Sequence, residues 1–165
     1  MTRSLRQATI NRPTEDVFAF VSDPTNDPQW HDTVLEVART STGPMKSGST
    51  FSAVYRPSGS SQTYGLKAEL TAYDPGKFSE LQASFVDPRG RVPAMIGRFV
   101  LTFRVESVGA ATRLTRGVEG RGAALRYRLL WLLLTPLTRN SARARQDELL
   151  GRIKKILEAD RASAT

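Results

Sequence analysis

Arg116 has the sequence context that points most directly to chemistry. If the segment around it is a strand, then Thr112, Leu114, Arg116 and Val118 share one face, and Leu114 and Val118 mark that face as inward. An inward arginine needs a partner, because an unpaired buried charge is very costly. The partner is either a ligand carboxylate or enolate, or else an internal acid or water. In the first case, Arg116→Ala weakens the binding of an anionic ligand.

The second candidate is His31, the single histidine of the chain, which stands between Trp30 and Asp32. Adjacent residues rarely face each other, and no motif marks a serine or cysteine nucleophile. We therefore expect His31 at the mouth of a cavity or in solvent, with general acid/base work as the alternative. Trp30 is expected in the core, with stacking against a ligand as the alternative.

Composition excludes several other kinds of site. The 165 residues include no cysteine, so disulfides, thiolate metal sites and a cysteine nucleophile are excluded. The carboxylates are scattered without the spacing of a metal cluster, and no glycine-rich phosphate loop follows a strand. The basic residues form no groove-reading motif and are not interleaved with aromatic residues. The sequence predicts no metal, no cofactor and no nucleic acid partner.

Length and hydropathy predict one soluble domain over residues 1–165. The chain is 39% hydrophobic and 24% charged, as globular proteins are. Met1 to Ile10 has no apolar core flanked by a cleavage site, so we expect no secretory signal there. The longest apolar run, Leu129 to Leu134, is far short of the roughly 20 residues that span a bilayer. We therefore expect a cytoplasmic protein.

A long C-terminal helix, predicted over about residues 123–160, is the element that the other elements surround. It is expected as one helix or as a pair kinked at Pro136. Beyond Leu137 apolar residues recur at three- and four-residue intervals, which indicates one buried face. These positions are Ala142, Leu149, Leu150, Ile153, Ile156 and Leu157.

The preceding chain is predicted as strands, apart from two short helices. Leu5 to Ile10 is a strand, a helix begins near Pro13, and Thr25 to His31 has room for a short second helix or a turn. Six further strands are predicted at 34–39, 50–56, 63–73, 78–86, 97–106 and 111–119. Consecutive hairpins give an antiparallel sheet. The predicted fold class is α+β, with a curved seven-stranded sheet around the long helix.

The segment from Ile10 to Asp23, followed by Asn26, Pro28 and Trp30, resembles a known structural family at its first strand-to-helix entry. Gly48 and the closing amphipathic helix also fit. The family is the helix-grip superfamily of START-related lipid-transfer domains, birch-pollen-allergen-like proteins and bacterial polyketide cyclase/dehydrase-like (SRPBCC) proteins. The resemblance covers the whole chain, and its motifs are structural. It implies a hydrophobic cavity between sheet and helix, for lipids, sterols or polyketide-like molecules, with a minority of members catalytic.

Residues expected to line this cavity are apolar, with a few polar groups that would orient a ligand. The alternative is that the same side chains simply fill a core. The expected residues are Trp30, Phe51, Ala53, Tyr55, Tyr64, Leu66, Phe85, Phe99, Leu101, Phe103 and Arg116, facing Tyr127 and Trp131 on the helix, with His31 as the acid/base candidate. Small residues such as Ala68, Ala72 and Gly97 among the aromatics favour a void over a filled core.

Charge is concentrated at the C-terminal end. From Arg121 onward there are ten basic and four acidic residues, which is +6 of the formal charge of +8. A basic helix can attract an anionic membrane, but charges that alternate with core positions are typical of a solvated face, and Glu148 and Arg152 are spaced to pair on it. The block Leu129 to Leu134 is expected to be a buried half of the helix, with weak membrane contact or a homodimer interface as alternatives.

Three functions remain open from the sequence. The first is binding or carriage of a small hydrophobic ligand, lipid-like or polyketide-like. The second is a cyclase/dehydrase-like enzyme, in which Arg116 or a cavity tyrosine stabilises an enolate and His31 is the base. The third is a basic module that binds a membrane or a partner through the C-terminal helix.

Overall fold

The structure is a computed structural model that describes residues 3–86, 98–121 and 125–162. Side chains are described for residues 4–86, 98–120 and 141–159. The predicted cavity residues Tyr127 and Trp131, together with Gly97 and the block Leu129 to Leu134, lie outside the described side chains.

Within the described residues, seven strands and three α-helices follow one another in the order that the sequence predicts. They are β1 (Arg3–Ile10), α1 (Thr14–Ser22), α2 (Asp27–Trp30), β2 (Val34–Arg39), β3 (Thr50–Tyr55), β4 (Tyr64–Asp74), β5 (Phe78–Val86), β6 (Arg98–Val108), β7 (Ala111–Arg121) and α3 (Leu125–Ala162). A 3₁₀ turn, Pro24–Asn26, joins α1 to α2. Of the two forms expected for the C-terminal helix, a single helix is observed.

The strands form one antiparallel sheet in the order β1-β7-β6-β5-β4-β3-β2. Strands β2 to β7 are joined to their neighbours in sequence, as expected for consecutive hairpins, whereas β1 pairs with β7 at the far edge. The predicted α+β helix-grip fold, with its sheet, long helix and two short helices, is confirmed.

The face of the sheet that carries Ile10 and Leu114 is the inner face, because helices cover it. These residues are fully buried with Leu150 and Ile153 of α3, in a core that also takes in Val17 of α1. Leu149, Leu150, Ile153 and Leu157 supply the buried stripe of α3 at the predicted helical spacing. Ala142, which was expected on the same face, is exposed. This core covers the inner face at β1, β6 and β7, and the neighbouring part of the same face carries the site described below.

Candidate functional site

A pocket of about 270 Å³ lies against the inner face of the sheet, next to α2. We call it the sheet pocket. Its walls come from the region around α2, from β2 to β6, and from the inward residues of β7. The lining residues are Pro24, Asp27, Trp30, His31, Val34, Val37, Phe51, Ala53, Tyr55, Leu66, Ala68, Leu81, Ala83, Phe85, Phe99, Leu101, Arg116 and Val118.

Small residues at the centre of the sheet leave room for this pocket. One row of directly paired residues crosses four strands as Phe51, Ala68, Ala83 and Phe99. Paired residues project on the same face, so two alanines lie side by side between two phenylalanine rings. The next row begins with another alanine, Ala53, which also lines the pocket. Methyl groups between larger side chains therefore produce a hollow that the strands themselves keep open.

Aromatic rings form one part of the wall. The Phe85 ring centroid lies 5.3 Å from that of Tyr55 and 5.6 Å from that of Phe99, within the range of favourable aromatic pairs. Tyr64 does not line the pocket, but its ring packs edge-on against that of Phe85, with 6.3 Å between the two ring centroids. Its hydroxyl donates a hydrogen bond to Gln62 Oε1 at 2.9 Å. These contacts fix the rings before any ligand arrives.

Arg116 brings a positive charge to this mostly apolar pocket. The residue is only 3% exposed, and its guanidinium carbon lies 5.6 Å from the centroid of the Trp30 ring, close enough for a cation–π interaction. Its Nε has no hydrogen-bond partner within the described part of the chain. The expected inward orientation of Arg116 is therefore what the structure has, and its donors are not fully used.

The segment from Asp23 to His31 holds two further titratable groups at the pocket. Asp23 Oδ1 accepts hydrogen bonds from the Thr25 backbone N–H at 3.0 Å and from its hydroxyl at 2.7 Å, which caps the 3₁₀ turn. The His31 backbone N–H then donates to the Asp27 carbonyl at 2.8 Å. Asp27 and His31 are thus one helical turn apart and lie on the same side of α2. Both line the pocket that Arg116 enters.

Burial sets the protonation states of these three groups. It raises the pKa of Asp27 to about 8, although the charge of Arg116 opposes the rise. It lowers the pKa of His31 to about 4, and the charges of nearby arginines act in the same direction. It also lowers the pKa of Arg116 to about 10, while Asp27 opposes that shift. Near neutral pH the described lining residues therefore include one cation, a protonated carboxyl group and an uncharged imidazole.

His31 is fixed by its neighbours and faces an ion-pair cluster on its outer side. Its Nδ1 lies 2.9 Å from Thr33 Oγ1. The next residue, Asp32, pairs with Arg145 and, at 3.3 Å, with Arg152, both on α3. The same two arginines donate to Glu148 at 2.8 and 2.6 Å, which lowers the pKa of that carboxyl. This cluster ties the corner after α2 to the long helix.

Most of the predicted site residues with described side chains come together around the sheet pocket. Those that line it are Trp30, His31, Phe51, Ala53, Tyr55, Leu66, Phe85, Phe99, Leu101 and Arg116. Tyr64 and Phe103 do not. Phe103 is 7% exposed in the core beneath α1 and α3, with its ring edge-on to Trp30 at 6.2 Å. Trp30 belongs both to this core and to the pocket wall. Whether these residues contact a ligand stays a prediction.

Asp27 is the polar residue of the site that the sequence did not single out. The available signal was its four-residue spacing from His31, but a helix of four residues is too short to show a periodic pattern. The sequence likewise did not assign to the pocket the apolar lining residues Pro24, Val34, Val37, Leu81, Ala83 and Val118. Among the described residues, no group of three or more metal-ligating side chains could hold a metal ion, and no described helix is long and apolar enough to cross a bilayer.

Comparisons with known proteins agree with this geometry at the level of the fold. A family profile described as polyketide cyclase / dehydrase and lipid transport matches residues 1–158. Comparison with curated proteins gives no match.

Several solved structures are similar. TTHA0849 from Thermus thermophilus is 14% identical with a TM-score of 0.70, over 96% of this chain and 99% of that chain. Ara h 8.0201 is 12% identical with a TM-score of 0.64, over 96% and 98%. DynU16, from the dynemicin biosynthetic locus, is 16% identical with a TM-score of 0.60, over 94% of this chain and 47% of that chain. At these identities the likeness concerns the fold.

Proposed function

Because the chain belongs to the polyketide cyclase/dehydrase and lipid transport family, we propose that it binds a small, largely apolar molecule in the sheet pocket. The ligand carries an acidic oxygen, such as a carboxylate, phenolate or enolate, which lies against Arg116. The remainder of the ligand contacts the alanine-centred rows and the aromatic wall. The observation that carries the proposal is a buried cation at the wall of a mostly apolar pocket, with a donor that has no partner among the described residues.

The volume of the pocket limits the part of the ligand that it holds. An apolar cavity of roughly 150 Å³ accommodates one benzene, and the sheet pocket has about 270 Å³. A ligand moiety of about two rings therefore matches the volume. Naphthalene derivatives are suitable probes, because the ring system stays constant while the polar group changes.

The first test is native mass spectrometry of gently purified protein, followed by calorimetric titration with 2-naphthoate and with neutral 2-naphthamide. Arg116→Met is expected to weaken naphthoate binding by about 10- to 100-fold, the usual range for losing a hydrogen bond to a charged group. Binding of the amide should change little. The matched control is Arg104→Met, since Arg104 is also a strand arginine over an aromatic ring, 5.1 Å from that of Phe78, but is exposed.

A discrete adduct, or naphthoate binding that depends on Arg116, supports the proposal. No adduct combined with no binding of either probe would mean that the side chains simply fill a core. If naphthoate binds equally well to wild type and Arg116→Met, the acidic-ligand part of the proposal is wrong and only apolar binding stands.

An enzyme of the cyclase/dehydrase kind is the second candidate, and protonated Asp27 beside Arg116 favours it. In an aldol closure of a 1,3-diketone, whose acidic α-proton is lost to water, Arg116 would hold the enolate oxygen, the enolate carbon would bond to a second carbonyl carbon, and that carbonyl oxygen would take its proton from Asp27. Elimination of the new hydroxyl with the remaining α-proton would then release one water and leave the cyclic enone. A pKa near 8 suits proton transfer at neutral pH better than the value near 4 of His31. The neutral-carboxyl donor thus replaces His31 as the preferred proton-transfer group.

This second candidate is tested with a linear triketone. Turnover would give a cyclic product lighter by one water, detected by mass spectrometry, and Asp27→Asn would slow its formation. Binding of the triketone without any such product would rule out this activity on that substrate class and leave ligand carriage.

A further inference from the structure

Asp27 and Arg116 are opposite titratable groups at one pocket that is otherwise mostly apolar. Asp27 is the acid whose charge acts on Arg116. The Nε of Arg116 has no hydrogen-bond partner within the described residues. The carboxyl group of Asp27 thus has the same chemistry as the acidic group proposed for the ligand, and it lines the same pocket as the cation.

We propose that Asp27 is an internal competitor of the ligand, so that its ionisation decides whether the sheet pocket binds an anion. While Asp27 is protonated, Arg116 is free to bind the ligand's acidic oxygen and the carboxyl O–H can donate to the same oxygen. When Asp27 is ionised, it neutralises Arg116 and repels the ligand. This inference rests on the proposed function and adds to it a pH-dependent release of acidic ligands.

The backbone around Asp27 keeps it in place for this role. The capped 3₁₀ turn precedes it, the His31 N–H is hydrogen-bonded to its carbonyl, and the buried Trp30 anchors the other end of α2. Neutral ligands have no charge for Arg116 or Asp27 to act on. Their affinity should therefore not depend on the ionisation of Asp27, which separates this device from a general loss of binding.

Several elements that pack against α2 bring charged groups towards Asp27 and His31. Asp23, at the start of the 3₁₀ turn, raises the pKa of Asp27, and Arg116 of β7 lowers it. The charges of Arg145 and Arg152 of α3 lower the pKa of His31, and both arginines form ion pairs with Asp32 or Glu148.

The charged residues of β2, Glu36 and Arg39, are not among the groups that shift the pKa of Asp27. With its pKa near 4, His31 stays uncharged above pH 6. Asp27 is therefore the pocket group that titrates near pH 8.

The size of the effect follows from the fraction of protein with Asp27 protonated. For a pKa of about 8, this fraction falls from about nine-tenths at pH 7 to about one-tenth at pH 9, and the apparent Kd of an anion rises about tenfold in proportion. The affinity of a neutral ligand should stay constant over the same range.

The test uses 2-naphthalenesulfonate, which is an anion at every pH of the experiment, and naphthalene-2-sulfonamide, its neutral counterpart. Both are titrated calorimetrically from pH 6 to 9 into wild type, Asp27→Asn and Asp74→Asn. Asp74 is an exposed carboxylate at the end of β4. Wild type and Asp74→Asn should lose about tenfold in sulfonate affinity between pH 7 and 9. Asp27→Asn should bind the sulfonate equally well across the range.

The outcomes separate the inference from the function on which it rests. If the sulfonamide binds and the sulfonate affinity of wild type does not change with pH, the inference is overturned while ligand binding stands. A pH-dependent loss that persists in Asp27→Asn also overturns it. If neither compound binds at any pH, both the inference and the proposed function fail. A wild-type sulfonate affinity that does not change with pH overturns the inference even if Asp27→Asn does not fold.

Discussion

Asp27 and His31 lie four residues apart, and folding changes their proton affinities in opposite directions. The folded protein holds the Asp27 proton more tightly than the unfolded chain, because the pKa rises from 3.8 to about 8. It holds the His31 proton less tightly, because that pKa falls from 6.5 to about 4. Stability depends on the difference in bound protons between the two states. Asp27 therefore makes stability fall as pH rises from about 4 to 8, and His31 makes it rise with pH from about 4 to 6.5.

We predict that the contributions of Asp27 and His31 to the pH dependence of stability oppose each other below pH 6.5. Above pH 6.5 only Asp27 contributes. The free energy of unfolding of wild type, measured with urea, should change little from pH 4.5 to 6.5 and fall from 6.5 to 8. The slope cannot exceed about 1.4 kcal/mol per pH unit, the limit for one proton. In His31→Asn the free energy of unfolding should fall over the whole range from pH 4.5 to 8, because the imidazole that opposes Asp27 is absent.

The control for this prediction is Asp27→Asn, which should keep the rise due to His31 and lose the fall above pH 6.5. A wild-type curve that stays level up to pH 8 would show that Asp27 is not buried as an acid. A fall that survives in Asp27→Asn would point to another group.

At the scale of elements, the sequence predicts strands well because alternation is a local property. The bounds of β2 and β5 were predicted as residues 34–39 and 78–86, as observed. The same local alternation predicts which side of the sheet each residue of β6 and β7 lies on, and Arg116 lies inward as its neighbours indicate. Alternation with a period of two does not tell what packs against a residue.

What covers a given part of that face depends on contacts between distant segments, and these are not in the local pattern. Phe103 shares a face with Phe99, yet α1 and α3 cover Phe103 while Phe99 lines the pocket. Asp27 was missed for the same reason. Its pKa and its relation to Arg116 arise only when side chains of α2 and β7 meet at the pocket. A helix of four residues is too short to show a periodic pattern in the sequence.

The strand that carries Arg116 is closely packed by its two neighbours on the outer face. A Cβ at Gly117 would collide with Thr102 Oγ1 of β6 and lie 3.0 Å from Leu5 Cδ2 of β1. Leu5 is half exposed and can move, but Thr102 is 8% exposed and β-branched, so it has few alternative rotamers. Gly117→Ala should therefore destabilise the protein by about 1–3 kcal/mol, the usual cost of overpacking, as measured by urea unfolding.

Gly120→Ala provides the control on the same strand, because a Cβ there meets no heavy atom of the described residues within 4 Å. It should be neutral or stabilise slightly. Adding Thr102→Ala to Gly117→Ala should recover most of the loss. If Gly117→Ala proves as harmless as Gly120→Ala, the approach of β6 and β7 is looser than described.

At the scale of the whole molecule, the inner face of the sheet has two regions that differ in how closely they are packed. Around Ile10, Leu114 and Ile153 it is packed tightly against α1 and α3. Around Ala68 and Ala83 it borders a pocket. Residues that bind ligands are commonly retained at a cost in stability, and an unfilled apolar cavity costs stability because its lining loses contacts. The same substitution should therefore have opposite effects in the two regions.

Ala83→Leu tests this division, since Ala83 lies at the centre of the sheet and lines the pocket. The added carbons should fill part of the pocket, raise the free energy of unfolding by about 1–2 kcal/mol at roughly 0.8 kcal/mol per buried CH₂, and abolish binding of naphthalene-2-sulfonamide. Ala8→Leu is the matched control on the same face, because Ala8 packs against the core. It should destabilise by about 1–3 kcal/mol and leave ligand binding unchanged. Destabilisation by both variants would mean that the two regions are packed alike. The alanines would then be part of a filled core, and the ligand-binding role would have no site in this fold.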